Sequence, residues 1–336
     1  MQNIRRVSRF LENKVLKEGG NPRREVLHPI DTLEGKRFVL DEKEDCWRMY
    51  DLIDGAVTYD TSDSEEMFFK VGQAFGQFQN RLMDYDAQTL HEAIPNFHNT
   101  PKRLMDLKIA IVADKVGRLA EIKGQPNHPL KKAIDYILSQ EDELSLIQVG
   151  KVSGKLPIRV THNDTKINNV MIDEQTGEPI CIIDLDTIGP DSCLVDFGDA
   201  IRSGANRAGE EPEQLDAAKL DMGLFKAYTK GYLSKTLIMN GGEINNDPEK
   251  GLTQPEIQLL HKAPKILTLE LAMRFLEDYL NGDEYFKVKP NQATDINLRR
   301  GLTQTYLAQD MAQKETEMKS VIDTIIAEKT KSEEER

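Results

Sequence analysis

Arg159-Val160-Thr161-His162-Asn163-Asp164-Thr165-Lys166-Ile167-Asn168-Asn169-Val170-Met171-Ile172, followed by Ile180-Cys181-Ile182-Ile183-Asp184, is the stretch on which the fold turns. Its two apolar, β-branched runs flank Asp173-Glu174-Gln175-Thr176-Gly177. That turn chemistry between strand-forming runs predicts a β-hairpin. With Ile158-Arg159-Val160 ahead of it, the segment to Asp186 reads strand, loop, strand, turn, strand. Antiparallel pairing returns the exit of the second hairpin strand to the entry of the first, so Asp184 is expected beside Asn169.

His162, Asp164 and Asn169 stand at H-x-D-x-x-x-x-N spacing. In a phosphoryl-transfer loop of that pattern the Asp accepts the proton of an attacking hydroxyl and the Asn oxygen holds a metal ion. An amide and a carboxylate, Asn169 and Asp184, suit Mg²⁺, which takes one or two side-chain oxygens and fills its octahedron with waters and substrate phosphates. Lys166 can stabilise charge on the transferred phosphoryl group; the plainer alternative is a solvated loop lysine. His162 is expected to pack beneath the loop and bond the backbone. Asp186 shares the strand face of Asp184 if period-two alternation continues, as a further metal contact or a hydrogen-bond support. Asp196-Phe197-Gly198 resembles the D-F-G metal motif of protein kinases, but it lies beyond the hairpin. With Asp184 in the metal position, Asp196 is expected to brace the loop through backbone N–H groups.

Outward from this centre the chain is mostly helical. Ile4, Val7, Phe10, Leu11 and Val15 recur at helical spacing, and Gly19-Gly20-Asn21-Pro22 ends that helix. Arg24 to Ile30 and Cys46 to Ile53 read as strands, separated by a turn-rich segment with Asp31 and Gly35 and by Phe38-Val39-Leu40. Met67, Phe68, Val71, Phe75, Phe78 and Leu82 mark a second helix, capped by Asp63 or Ser64. Further helices are expected over Leu104 to Ile122, Lys131 to Ile147, Leu220 to Leu233, Ile257 to Leu280 with a break near Pro264, and Leu298 to Ile326. The tail from Lys329 reads as charged and frayed. The change of composition near Ile53-Asp54-Gly55 divides the chain into 1–53, 54–328 and the tail 329–336.

The 336 residues carry 44 Lys and Arg against 57 Asp and Glu, a net charge of −13. No basic stripe offsets it, which argues against nucleic acid and anionic membrane and for a small-molecule partner. No run approaches the roughly 20 apolar residues of a membrane span, and Met1 precedes no apolar signal core, so a cytoplasmic protein is expected. Cys46, Cys181 and Cys193 lack metal-ligand spacing and read as reduced core thiols. Trp47 reads as core. A metal-dependent hydrolase would gather its histidines near Asp164, whereas His28, His91, His98, His128 and His261 are expected apart from that loop.

Val160 to Asn206 resembles the aminoglycoside phosphotransferase and choline kinase superfamily, with bacterial N-acetylhexosamine 1-kinases nearest. The resemblance rests on Val160-Thr161-His162-Asn163-Asp164-Thr165-Lys166, Ile182-Ile183-Asp184-Leu185-Asp186-Thr187 and Asp196-Phe197-Gly198-Asp199-Ala200-Ile201-Arg202. Weaker similarity covers Ala74 to Gln79, Phe97 to Pro101 and Met273 to Leu280. It implies an α+β, protein-kinase-like two-lobe fold whose small N-lobe ends at a hinge and whose mainly helical C-lobe carries the hairpin. It implies ATP as phosphoryl donor with Mg²⁺, adenine against Tyr50, Asp51, Leu52 and Ile53, and an acceptor held by Asp164, Arg274 and Tyr285. Arg274 could instead pair with Glu270 along a helix, and Tyr285 could be a half-buried core residue.

The expected acceptor is the anomeric hydroxyl of an N-acetylhexosamine. Aminoglycoside, choline or homoserine are the alternatives, as is a degenerate kinase that binds without transferring phosphate. Such families place a glycine-containing phosphate loop and its strands before the first helix. No G-x-G-x-x-G or P-loop pattern occurs here, so the small lobe is expected to be incomplete, its sheet edge uncovered, and the activity of residues 1–336 weak.

Overall fold

Burying one stripe of each helix against the hairpin is what assembles the molecule, described here by a computed structural model over residues 1–62, 64–290 and 292–334. Ile4, Val7, Leu11 and Val15 are the buried side of α1 (Gln2–Lys17). The expected strand over Arg24 to Ile30 is shorter than its apolar alternation suggests. Asn21 accepts the N–H of Arg23 and Pro22 takes the first helical position, so α2 (Pro22–Glu25) forms instead. Only Pro29–Ile30 of that segment forms a strand, β1.

Next come β2 (Val39–Leu40), β3 (Cys46–Trp47) and β4 (Met49–Tyr50). β1 pairs with β4 and β2 with β3, both antiparallel, making a ribbon of residues 29–50. Trp47 and Cys46 are exposed on it, against the expectation of core positions. The Trp47 indole N–H donates to Asp41 in the adjoining turn.

β5 (Ala56–Val57) leads to α3 (Glu65–Arg81), capped by Ser64, whose hydroxyl accepts the N–H of Met67. The other candidate cap, Asp63, lies outside the described residues. The segment from Leu104 to Ile122 divides into α4 (Thr100–Ala113) and α5 (Arg118–Glu121), because Asp114 turns left-handed at φ 38°. Three helices follow, α6 (Pro129–Ser139), α7 (Glu141–Leu144) and α8 (Leu146–Val152).

β6 (Arg159–Thr161), β7 (Val170–Asp173), β8 (Pro179–Ile182) and β9 (Gly189–Asp191) frame the central loop. β5, β7 and β8 form one antiparallel sheet, and β6 pairs with β9. Asp173 caps the hairpin turn by accepting the N–H groups of Gln175 and Thr176.

The remainder is α9 (Cys193–Gly204), α10 (Met222–Thr236), the hairpin β10 (Met239–Asn240) and β11 (Glu243–Ile244), α11 (Gln254–Leu259), α12 (Ala263–Asn281) and α13 (Ile296–Glu334). The helix break near Pro264 falls between α11 and α12. The tail expected to fray from Lys329 is instead the last turns of α13, through Glu334.

One apolar cluster runs from Ile4 and Val15 through Phe75, Val170, Ile182 and Phe197 to Tyr228 and Met318. A second gathers α4, α6, α12 and the start of α13 around Leu107, Ile137, Met273 and Leu302. The helices nearest the hairpin cross closely enough that glycine is required. A Cβ on Gly72 would sit 2.3 Å from the Tyr228 carbonyl oxygen, and one on Gly231 2.1 Å from that of Phe69. The architecture is α+β, a small strand-bearing part against a helical body that carries the hairpin. Among the described residues no helix is long and apolar enough to cross a membrane.

Candidate active site

Two residues in left-handed backbone, Asn163 (φ 65°) and Asp184 (φ 59°), frame the site. Non-glycine residues enter that region at a cost of order 1–3 kcal/mol and stay only where the surroundings hold them. Those surroundings are dense here. Asn163 donates from Nδ2 to Thr187 O at 2.9 Å, and Thr187 donates its hydroxyl to His162 O at 2.7 Å. Asp196 accepts the N–H groups of both His162 and Asn163 at 2.8 Å, and Asp199 accepts that of Thr165 at 3.0 Å. Two carboxylates on α9 thus hold three peptide N–H groups of the loop, those of His162, Asn163 and Thr165. Burial pushes the Asp196 carboxyl up to about 6, against the two N–H donors, which favour its ionised form.

His162 is fully buried under Phe75 and Phe78. Its Nε2 lies 2.8 Å from Ile183 O and its Nδ1 accepts the N–H of Asp164 at 3.2 Å. An acceptor at Nε2 and a donor at Nδ1 fix the neutral, Nε2-protonated ring. His162 therefore ties the peptide of Asp164 to the peptide before Asp184.

Asp164 is partly exposed and lies 3.2 Å from Lys166 Nζ. Burial lowers the Lys166 pKa, but the charges of Asp164 and Asp199 more than reverse this, so the ammonium is held protonated. Asn169 donates from Nδ2 to Asp164 O at 2.8 Å, and Ile183 donates its N–H to Asn169 O at 2.9 Å. The hairpin ladder thus sets Asn169 across from Ile183, one residue before Asp184. With its amide nitrogen engaged, Asn169 presents Oδ1, and Asp184 presents a carboxylate. This hard-oxygen pair fits Mg²⁺, which bridges and neutralises nucleotide phosphates when bound.

Asp186 is placed differently from its strand-based expectation. The left-handed turn at Asp184 ends β8, and Leu185 to Thr187 form a turn of 3₁₀ helix. Period-two alternation therefore stops at Asp184, and the Asp186 carboxylate pairs with Arg48 of the ribbon.

Tyr50, Asp51, Leu52 and Ile53 line a cavity of about 260 Å³ together with Leu27, Met171, Ile183, Asp184 and Asp186. A second cavity of about 230 Å³ is lined by Asp164, Lys166, Arg274, Phe97, Phe286 and a set of charged groups. Sequence reasoning missed most of that set. Arg202 bridges Asp199 and Glu210 at 2.8 Å each.

His98, expected apart from the loop, is at its back: Nδ1 is 2.7 Å from Glu270 Oε1 and Nε2 is 3.2 Å from Asn163 O. Both partners only accept, so His98 is the doubly protonated imidazolium. Burial opposes that charge, but Glu270 overcomes it and raises the pKa. The Glu270 carboxylate also accepts the Thr100 hydroxyl at 2.6 Å. It makes no ion pair with Arg274 among the described residues; the Arg274 guanidinium instead lies 5.0 Å from the Phe97 ring and 5.8 Å from that of Tyr285. Tyr285 is 66% exposed, not a core tyrosine.

Residues 24–232, more than half of the chain, match the phosphotransferase enzyme family. The chain belongs to this family. It is a small-molecule phosphotransferase. Its fold is similar to that of an aminoglycoside phosphotransferase from Alicyclobacillus acidocaldarius subsp. acidocaldarius, at 12% identity and TM-score 0.54 over 97% of this chain and 84% of that one. It is likewise similar to a microcompartment-associated aminopropanol kinase, at 14% identity and TM-score 0.53 over 90% of this chain and 79% of that one. These two likenesses are of fold, and they agree with the kinase-like architecture that the resemblance implied.

Proposed function

We propose that this phosphotransferase uses ATP and Mg²⁺ to phosphorylate the anomeric hydroxyl of an N-acetylhexosamine, giving the sugar 1-phosphate. The observation that carries the reading is Asp164, which lines a polar cavity with Arg274 and Phe97 and whose carbonyl is held by Asn169, itself bonded to Ile183 in the lining of the cavity of Tyr50 to Ile53. Acceptor in the first and nucleotide in the second would meet at the Asp164 carboxylate.

The acceptor oxygen bonds to the γ-phosphorus as its proton passes to Asp164, and the bond to the bridging oxygen breaks to release ADP. Lys166 holds positive charge at the transferred group, and Asn169 Oδ1 with Asp184 would hold the metal. Asp196, Asp199 and His162 position Asp164 by fixing the peptides around it.

Charge balance in the acceptor cavity favours a neutral polyol over a cation. With His98 protonated, the four carboxylates of the lining, Asp164, Asp199, Glu210 and Glu270, are balanced by Lys166, Arg202, Arg274 and His98, and Arg274 is the guanidinium among them with no ion pair among the described residues. A quaternary ammonium or a polyamine would face it at a cost, whereas a sugar hydroxyl or an acetamido carbonyl accepts its hydrogen bonds. The test is a panel of N-acetylglucosamine, N-acetylgalactosamine, kanamycin, choline and homoserine with Mg-ATP, read by ADP release and phosphorus NMR of the product. Turnover of the hexosamines to 1-phosphates is expected. Turnover of choline or kanamycin alone would reject the sugar assignment while leaving the phosphotransferase intact.

A further inference from the structure

The ribbon of residues 29–50 carries a surface that the catalytic reading does not use. β2 is hydrogen-bonded to β3 on one edge, and no strand among the described residues covers the other. The side chains along it are open to solvent, with Val39 49%, Leu40 55% and Trp47 64% exposed. An open, apolar strand edge is a template for pairing with another chain.

The sequence of that edge is Lys36-Arg37-Phe38-Val39-Leu40-Asp41-Glu42. Two cations, three apolar residues and two anions follow one another, an order that complements itself when a second copy runs antiparallel. With Val39 opposite Val39 of the second copy, Arg37 faces Asp41, Lys36 faces Glu42 and Phe38 faces Leu40, each twice. Parallel pairing in register would set like charges together.

Backbone parity selects the same register. Asp41 donates its N–H to Asp45 O across the turn at 3.0 Å, so residues 41 and, by alternation, 39 direct their peptide groups toward β3. The N–H and C=O groups of Phe38 and Leu40 therefore point to the free edge. Centring the twofold on Val39 brings the outward groups of Phe38 and Leu40 of one copy against those of Leu40 and Phe38 of the other. A register shifted by one residue would oppose inward- to outward-directed peptides and leave the edge unbonded. Of the charges, Arg37 and Glu42 have no ion pair among the described residues, and Lys36 has only an exposed one with Glu34. Asp41 already accepts from Lys43, Asp45 and Trp47, which holds it ionised.

The geometry points to a second copy of this chain as the partner of β2, in a twofold antiparallel β2–β2 interface that builds a four-stranded sheet. Both faces of that sheet gain apolar neighbours, Val39 with Trp47 on one and Phe38, Leu40 and Cys46 on the other.

The test is sedimentation velocity of the full chain over a hundredfold concentration range, with three charge variants. A monomer–dimer equilibrium is expected. Lys36→Glu and Glu42→Lys should each raise the dimer dissociation constant about tenfold, and the double variant K36E/E42K should recover most of it, since opposed charges are restored. A purely monomeric chain, growth past the dimer, or a double variant no better than either single one would overturn the interface.

Crosslinking reads the register independently, in a Cys46→Ser background. The Val39 pair is a non-hydrogen-bonded pair with Cβ atoms about 4.5–5.5 Å apart, so Val39→Cys should oxidise to a covalent dimer and Phe38→Cys should not. Equal crosslinking of the two would reject the register.

Discussion

Asp164 owes its position to neighbours whose own roles the sequence only half declares. The H-x-D-x-x-x-x-N spacing pointed to His162, Asp164 and Asn169, and the hairpin pointed to Asp184, because both signals are local in the chain. His98 and Glu270 were illegible: they are 172 residues apart and meet only once α12 packs behind the loop. The strand face that Asp186 was expected to share with Asp184 is lost because a single left-handed residue, Asp184, ends the alternation, and no residue type announces that turn. If Asp164 is the base, Asp164→Asn should lower kcat by about 10²–10⁴ with little change in Tm, measured by ADP release and thermal melting. An equal loss of fold and activity would make the residue structural. His98 gives a pH signature. Its folded-state pKa is raised above 6.5, so its stabilisation is complete below that value and is lost as pH rises through the folded pKa. The groups around it are Glu270, Asp191 and Asp199, all acidic, with the Asn163 carbonyl. The Tm advantage of wild type over His98→Gln should therefore be full below pH 6.5 and shrink as the pH is raised above it. A difference that stays constant as the pH is raised would show that His98 is not a buried imidazolium.

At the scale of elements, periodicity revealed α1, α3 and the hairpin, since each buries a regular stripe against its neighbours. It failed at Arg24 to Ile30, where capping by Asn21 and the fixed φ of Pro22 outweigh β-like alternation. It failed again at the end of α13, where charged residues continue a helix already nucleated. The closest crossing, α3 on α10, depends on glycines whose importance no single-helix pattern conveys. Gly72→Ala and Gly231→Ala must each push a backbone carbonyl away from 2.3 and 2.1 Å. Each should cost about 1–3 kcal/mol by urea denaturation, although alanine is the better helix former by about 1 kcal/mol. A gain in stability at either position would mean that the two helices do not cross this closely.

For the molecule as a whole, the small strand-bearing part and the helical body are not joined only by chain. α1 shares its core with the hairpin and α9, so the composition change near Ile53 marks the base of the ribbon more than a break in packing. Deeper in, Arg159 at the start of the catalytic segment is fully buried. It donates to both oxygens of Glu256 at 2.6 and 2.8 Å and to the carbonyls of Pro248 and Gly251. Glu256 in turn accepts the N–H and hydroxyl of Thr253, closing the capping box of α11. Every lone pair and N–H that this pair withdraws from water is therefore answered within the protein, across about ninety residues of sequence. Removing one partner leaves the other charged, buried and unanswered. Arg159→Met or Glu256→Gln should thus cost about 3–5 kcal/mol, read as a lower urea midpoint, a larger penalty than removal of an exposed pair such as Lys319 with Asp323. Because neither residue lines either cavity, the folded fraction of each variant should turn over at close to the wild-type rate. A variant that keeps its urea midpoint but loses turnover would move Arg159 from the frame of the molecule into its chemistry.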